Sequence, residues 1–326
     1  MRPLPDISRK QFGAFTARQA LDAGWTRSAL LHAVQSGQLH VARRGVFVAA
    51  DVVDGVGAEA EKRRLTASTA AMLLATPAAV ASHTSAAALA DLPVWRLPDR
   101  PCVTVPPRHT GDAGAVHLHR AALSVGNRRS AGRLVRTSAA RTFCDLAREH
   151  GIENAVVAAD AALHTGMITV DDLERCIRDC TRWPGIRRAR AAVDLVDGRA
   201  ESPLESVSRL RLDALDVPPP NLQPELIRLD GLWLGRLDFY WDEYGVAGEV
   251  DGRLKYAEAD GDALWKEKLR QEQLEEAGVI VVRWGGVQIA NMQRVAERLY
   301  AAFGRGQRRT ADERRWIVRP NTDFAP

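Results

Sequence analysis

The chain has 326 residues, 46% of them hydrophobic and 26% charged, with a formal net charge of +4. That length holds two or three domains, each large enough to bury a core. No apolar run approaches the roughly 18 residues a spanning helix needs, and Met1-Arg-Pro-Leu-Pro-Asp6 lacks an apolar signal core, so the sequence predicts a cytoplasmic protein without membrane contact.

Residues 9–50 read as one small module. Thr16 is placed to cap a helix that Gly24 ends, and Thr26 opens a second helix that runs to Gly37 with Leu30, Leu31 and Val34 at helical spacing. Leu39 to Val48 then reads as a hairpin with Arg43-Arg44-Gly45 at its tip. Two short helices around a glycine-bearing turn, followed by a hairpin, predict a winged helix. Arg27, Ser28 and His32 would lie on the recognition helix, with Arg43 and Arg44 on the wing against phosphate. A winged helix used only for packing is the competing reading. The net charge of residues 1–50, about +5, favours phosphate contact. The segment resembles the N-terminal domain of AbiEi-type antitoxins, and the resemblance implies a winged-helix transcriptional autoregulator.

Residues 51–200 read as a connecting α+β domain. An alanine-rich helix covers Glu61 to Ala75 and a second runs from Ser82 to Leu89, where His83 reads as a local hydrogen-bonding residue rather than a catalyst. Strands are expected at Cys102–Val105 and Ala115–His119. His117 and His119 share a strand face and would make half a metal site, but no partner stands at matching spacing, so an ordinary half-exposed strand is favoured. Helices follow over 137–147, 152–164, from Thr169, and over 186–196, where Arg187, Arg188 and Arg190 suit a solvated face as well as DNA. The cysteines at 102, 144, 176 and 180 have no zinc-type spacing and read as buried, inert thiols.

Residues 201–304 carry the chemistry, and their net charge is about −7. A helix over Leu204–Leu215 holds Glu205. Gly235 to Trp241 alternates into an aromatic pair and predicts a strand, Asp242–Gly245 a turn, and Val246–Val250 the returning strand. Asp238 would sit near one strand end, with Glu249 on its neighbour and Asp251 on the same face as Glu249. Three carboxylates at one sheet end make a hard oxygen site suited to Mg²⁺ (or Mn²⁺) against phosphate. A charged helix from Asp262 to Ala277 brings Lys266 and Arg270 at helical spacing, Val279–Trp284 predicts a buried central strand, and Asn291–Phe303 a closing helix. After Gly304 come six arginines with little periodicity, and a mobile tail is expected.

Glu201-Ser-Pro-Leu-Glu205, Pro220-Asn-Leu-Gln223, Arg236-Leu-Asp238-Phe239, Glu249-Val-Asp251-Gly252, Glu267-Lys-Leu-Arg270 and Val281-Val-Arg283 together resemble the Vsr-like branch of the PD-(D/E)xK nucleases known as the DUF559 endonuclease-like domain. The middle segment keeps Ser82-His-Thr-Ser-Ala-Ala87 and Asp160-Ala-Ala-Leu163, so the whole chain resembles actinobacterial-type proteins that pair an AbiEi-like start with a DUF559-like end. The resemblance implies a metal held by Asp238, Glu249 and Glu205, with Asp251 and Lys255 completing the catalytic set and Lys266 and Arg270 on DNA. The lysine of the family motif falls at 251, where this chain has aspartate.

The predicted protein is therefore a multidomain α+β chain. It has a winged helix over 1–50, a connecting α+β domain over 51–200, an α/β restriction-endonuclease-like core with a mixed sheet over 201–304, and a basic flexible tail over 305–326. Its main functional reading is a Mg²⁺-dependent deoxyribonuclease guided by the winged helix, in phage defence or DNA repair. The alternative is a non-catalytic, antitoxin-like DNA-binding regulator with a degenerate nuclease fold. Either takes DNA as its partner, and a toxin or defence-system protein fits both.

Overall fold

A computed structural model describes residues 3–98, 100–110, 116–251, 261–307 and 314–322. The chain divides into two units, Met1–Ala158 with Met167–Asp194, and Ala159–Gly166 with Leu195–Pro326.

The first unit opens with β1 (Ala14–Thr16), α1 (Ala17–Asp22), α2 (Arg27–Gln35), β2 (Leu39–Arg43) and β3 (Val46–Ala49). Thr16 and Gln19 form a reciprocal cap on α1, at 3.2 Å from Gln19 N to Thr16 Oγ1 and 2.8 Å from Thr16 N to Gln19 Oε1. Such a cap stabilises a short helix by about 1 kcal/mol. Thr26 caps α2 through Ala29 N. Gly45, at φ +75°, turns the hairpin between β2 and β3. β1 closes against β3, giving the sheet order β1-β3-β2. Only three residues long, β1 is too short to leave a periodic signal. Phe15, Trp25, Leu30 and Leu39 fill the core beneath these elements. Leu31 departs from expectation: it is 59% exposed, and Ala33 takes the buried position on α2.

After α3 (Ala50–Val53) come α4 (Ala58–Ala75), β4 (Val80–Ala81), α5 (His83–Leu89), β5 (Cys102–Val105), β6 (His117–Arg120), β7 (Arg128–Ala131) and β8 (Leu134–Thr137). The strands make a mixed sheet ordered β6-β5-β4-β8-β7, with β5 and β6 parallel. Alanines on α4 let it approach closely, so that Ala67, Ala70 and Ala71 share one core with Val46, Val48, Val103 and Val105. The unit ends with α6 (Ala139–Glu149), α7 (Ile152–His164), α8 (Val170–Asp179) and α9 (Ile186–Val193), although α7 runs on into the second unit. Ser138 and Thr169 cap α6 and α8. Inside α6, Asp145 is fully buried and Arg141 and Arg148 both donate to it, at 2.9 and 3.2 Å. All four cysteines are buried and free, as the spacing implied.

The second unit holds α10 (Pro203–Asp213), β9 (Asn221–Leu222), β10 (Glu225–Arg228), β11 (Trp233–Arg236), β12 (Phe239–Trp241), β13 (Val246–Asp251), α11 (Gly261–Ala277), β14 (Ile280–Gly285), α12 (Gly286–Ile289), α13 (Met292–Gly306) and β15 (Trp316–Arg319). One sheet is mixed, ordered β14-β13-β12-β9 with β13 and β14 parallel. The second, β11-β10-β15, is antiparallel. Tyr240 and Ala247 face Leu274, Ala277 and Trp316 on one side of the mixed sheet. On the other side Phe239 stacks against both Trp241 and Trp284, and Trp284 Nε1 donates to Ser208 Oγ at 2.8 Å.

Three expectations need correction here. The strand expected over 235–241 is two strands in different sheets, broken at Leu237 and Asp238, shortly after a bulge in β11 where Gly235 sits at φ +140°. β14 has an apolar sequence, yet among the described residues it ends the sheet rather than lying at its centre. The expected tail is not without structure: β15 pairs with β10, and Trp316 Nε1 donates to the Tyr240 hydroxyl at 2.6 Å.

Candidate functional site

Two sets of residues are candidates, one in each unit. In the first unit, the register of α2 follows from its Thr26 cap and its buried Leu30 and Ala33. That register turns Arg27, Ser28 and His32 outward, and all three are exposed. Ser28 Oγ lies 3.2 Å from Thr26 Oγ1 at the start of the helix. On the hairpin tip Arg44 is exposed and Arg43 half-buried. An exposed helix face with a basic hairpin beside it has the elements that reading a duplex requires.

In the second unit the predicted carboxylates are tied to different partners. Glu205 lies in the first turn of α10, where Ser202 Oγ accepts from its N–H and donates back to Oε1 at 2.7 Å. Glu201 N donates to Glu205 Oε2 at 3.0 Å. Gln223, buried and held at φ +52°, donates through Nε2 to Glu205 Oε2 at 2.9 Å and to Asp238 Oδ1 at 3.4 Å. A left-handed conformation at a non-glycine residue costs about 1–3 kcal/mol and persists only where its surroundings enforce it. Asp238 is anchored to the neighbouring strand, since Val250 N donates to Oδ2 at 2.8 Å. Glu205 and Asp238 are therefore brought together through one amide.

Glu249, one residue beyond the Phe239–Gly248 pair, has partners of its own. Its side chain is 9% exposed, with Arg270 Nη2 at 2.7 Å from Oε1 and Arg283 Nη2 at 2.8 Å from Oε2. Arg283 is itself fixed by donating to Gln271 Oε1 at 2.7 Å. Arg270 reaches the carboxylate because it lies across Gly235, where an added Cβ would stand 3.3 Å from its Cδ. Two guanidinium groups thus donate to both oxygens of this carboxylate and offset its charge.

Asp251 ends β13, opposite Gly285, and is half-buried. Lys266 lies on α11, one turn before Arg270. Lys255 lies outside the described residues. Among the described residues, the set of three metal-ligating side chains whose donor atoms lie within 4.8 Å of one another is His83, His119 and Glu149, not the acidic trio. Gln223 was legible in the sequence as part of a motif but without a role. The Arg283 partnership with Glu249 joins residues 34 apart, which no local pattern reveals.

No helix among the described residues is long and apolar enough to cross a membrane. Two uncharacterized proteins of Mycobacterium tuberculosis, MT2308 of strain CDC 1551 / Oshkosh and Rv2248 of strain ATCC 25618 / H37Rv, are each 30% identical over 178 residues. Each match covers 54% of this chain and 63% of the relative, so the chain spans less than two thirds of either protein's length. The crystal structure of the Rv2827c protein from Mycobacterium tuberculosis is 16% identical and covers 60% of this chain and 78% of its own, at a TM-score of 0.37 too low to bear on the fold. Residues 2–50 match the family described as a transcriptional regulator, AbiEi antitoxin, so it is the helix–turn–helix and hairpin segment that is antitoxin-like.

Proposed function

We propose that this protein is a DNA-binding transcriptional regulator of the antitoxin type. Its first fifty residues act as a winged helix, and its second unit keeps the order of a nuclease core without cleaving DNA. The observation that carries the reading is the match of residues 2–50 to the AbiEi antitoxin regulators. It coincides with the exposed Arg27, Ser28 and His32 on α2 and Arg44 on the hairpin. On this reading α2 enters the major groove while Arg43 and Arg44 contact phosphate. A regulator of this type also implies a cognate toxin as its protein partner.

The state of Glu249 supports the non-catalytic side. Its oxygens are committed to Arg270 and Arg283, and the lysine of the nuclease motif is replaced by Asp251. The second reading, a Mg²⁺- or Mn²⁺-dependent endonuclease, retains one specific observation: Gln223 joins Glu205 to Asp238.

Binding to duplex DNA from upstream of the protein's own coding sequence, measured by fluorescence anisotropy across a salt series, tests the proposal. Arg43→Ala/Arg44→Ala is expected to weaken binding and to reduce the slope of log K against log salt by about 2, close to one phosphate contact per arginine. An unchanged slope and affinity would remove the wing from DNA. Plasmid cleavage with Mg²⁺ or Mn²⁺, lost in both Asp238→Ala and Glu249→Ala, would overturn the regulator in favour of the nuclease.

A further inference from the structure

We propose that His83, His119 and Glu149 form a binding site for a divalent transition metal of borderline softness, Zn²⁺ foremost, with one coordination position open to a small oxyanion. The three come from separate elements: His83 opens α5, His119 lies on β6 and Glu149 closes α6. Their donor atoms all lie within 4.8 Å of one another. His83 Nε2 stands 3.6 Å from Glu149 Oε1, and His119 Nδ1 stands 3.1 Å from Glu149 Oε2. Zinc ligated at its usual distances draws donor atoms to about 3.3 Å of one another, so small side-chain movements would close the set. Two imidazoles and one carboxylate suit Zn²⁺ better than Mg²⁺, which prefers oxygen alone. This site is separate from the acidic trio of the second unit and does not depend on the regulator reading.

Two features of His83 point to a ligand. It is held at φ +52°, a left-handed conformation seldom adopted by residues other than glycine, and it is 2% exposed. Ser82, at the position that would cap α5, makes no cap bond, and its Oγ lies 3.0 Å from His83 Nδ1. When Nδ1–H donates to that hydroxyl, the lone pair stands on the other nitrogen, as in histidines that ligate metals. That other nitrogen, Nε2, is buried and has no hydrogen-bond partner. A buried polar atom left without a partner is unfavourable, and a metal would supply one. The His119 ring stacks on His83 with centroids 3.8 Å apart, which keeps both imidazoles beside the carboxylate. The plainer alternative, a carboxylate shared by two imidazoles, accounts for Glu149 but leaves His83 Nε2 at 3.6 Å from Oε1, beyond hydrogen-bond reach, and gives no reason for the strained backbone of His83.

The three residues line a cavity of about 510 Å³. Arg120, Arg141, Arg148 and Arg182 line it together with Asp145 and Glu149. Arg148 reaches Glu149 Oε1 at 3.3 Å and orients that carboxylate. With a dication added, the excess of positive charge favours an anionic ligand at the open position, and guanidinium groups match phosphate or carboxylate oxygens.

The full chain, stripped of metal with chelator, would be titrated with Co²⁺ as a spectroscopic substitute for Zn²⁺. One ion per chain is expected, with the intense visible bands of a low-coordinate site, displaced by Zn²⁺. Glu149→Gln and His119→Ala should each lose at least about 100-fold in affinity, more than the loss of an outer hydrogen-bond partner. His117→Ala, two residues away on β6 and exposed, should bind like the unaltered chain. Should His119→Ala fail to fold, Glu149→Gln carries the test, because that side chain is 37% exposed at the end of its helix. Adding inorganic phosphate should shift the bands. Absence of Co²⁺ binding, or equal binding by Glu149→Gln, would overturn the site; bands indifferent to phosphate would overturn its open position.

Discussion

Replacing Glu249 by glutamine keeps the shape of the side chain and removes the charge that two arginines share. Arg270 and Arg283 would then face one amide, with side-chain exposures of only 23% and 25%. Breaking a fully buried ion pair costs about 3–5 kcal/mol because a charge is stranded. The partial exposure of both arginines lets water offset some of this, so the expected loss is about 2–3 kcal/mol. For a unit of this size that lowers Tm by roughly 6–12 °C. Thermal unfolding followed by circular dichroism would measure it, with and without Mn²⁺. A shift below about 2 °C would show that the arginines do not rely on Glu249. A rise in Tm with Mn²⁺ in the unaltered chain, absent from Glu249→Gln, would show that Glu249 serves a metal, since a ligand that binds the folded state stabilises it.

Gly248→Ala should destabilise by about 1–3 kcal/mol through crowding alone, because its φ is ordinary but the new methyl would lie 2.7 Å from Trp284 Cη2. An unchanged urea midpoint would show that Trp284 has room to move. Ending the chain at Gln307 deletes β15 and uncovers Leu226, Leu234 and Tyr240; losing buried Trp316 alone should cost about 3–5 kcal/mol, read from the same midpoint. An equal midpoint with and without β15 would refute its place in the sheet. In metal-free protein, burial works against charge on His119, but Cys102 and Glu149 beside the ring raise it to about 9. The stability it contributes is present below about pH 6.5 and lost as pH rises through about 9. NMR titration should find that midpoint and see it fall in Glu149→Gln; a midpoint near 6.5 in the unaltered chain would refute the pairing.

The sequence revealed what is local. Thr16, Thr26 and Thr169 mark helix starts because a cap is a contact across three residues. Asp238 and Glu249 could be set on neighbouring strands because a short turn joins them. What could not be read depends on distant partners. Alternation over 235–241 is the same whether one strand or two carry it, and only the distant strands that each half pairs with decide. The apolar sequence of β14 reports that its side chains are covered, not whether another strand lies beyond it. His117 and His119 look like half a metal site in sequence, and the structure sets His119 beside residues 36 and 30 positions away, His83 and Glu149.

The short excursion of the chain over Ala159–Gly166 has a consequence for the order of synthesis. Asp160 belongs to the second unit, where it accepts from Asp197 N at 2.7 Å and from Arg209 Nη2 at 3.0 Å. Arg209 is made 49 residues later. At roughly 5–20 residues per second, the ribosome leaves that carboxylate without its cation for about 2–10 s. Meanwhile Met167–Asp194, which completes the first unit, is still being added. The first unit can thus finish folding before the second can begin, while α7, already complete, carries the second unit's buried carboxylate.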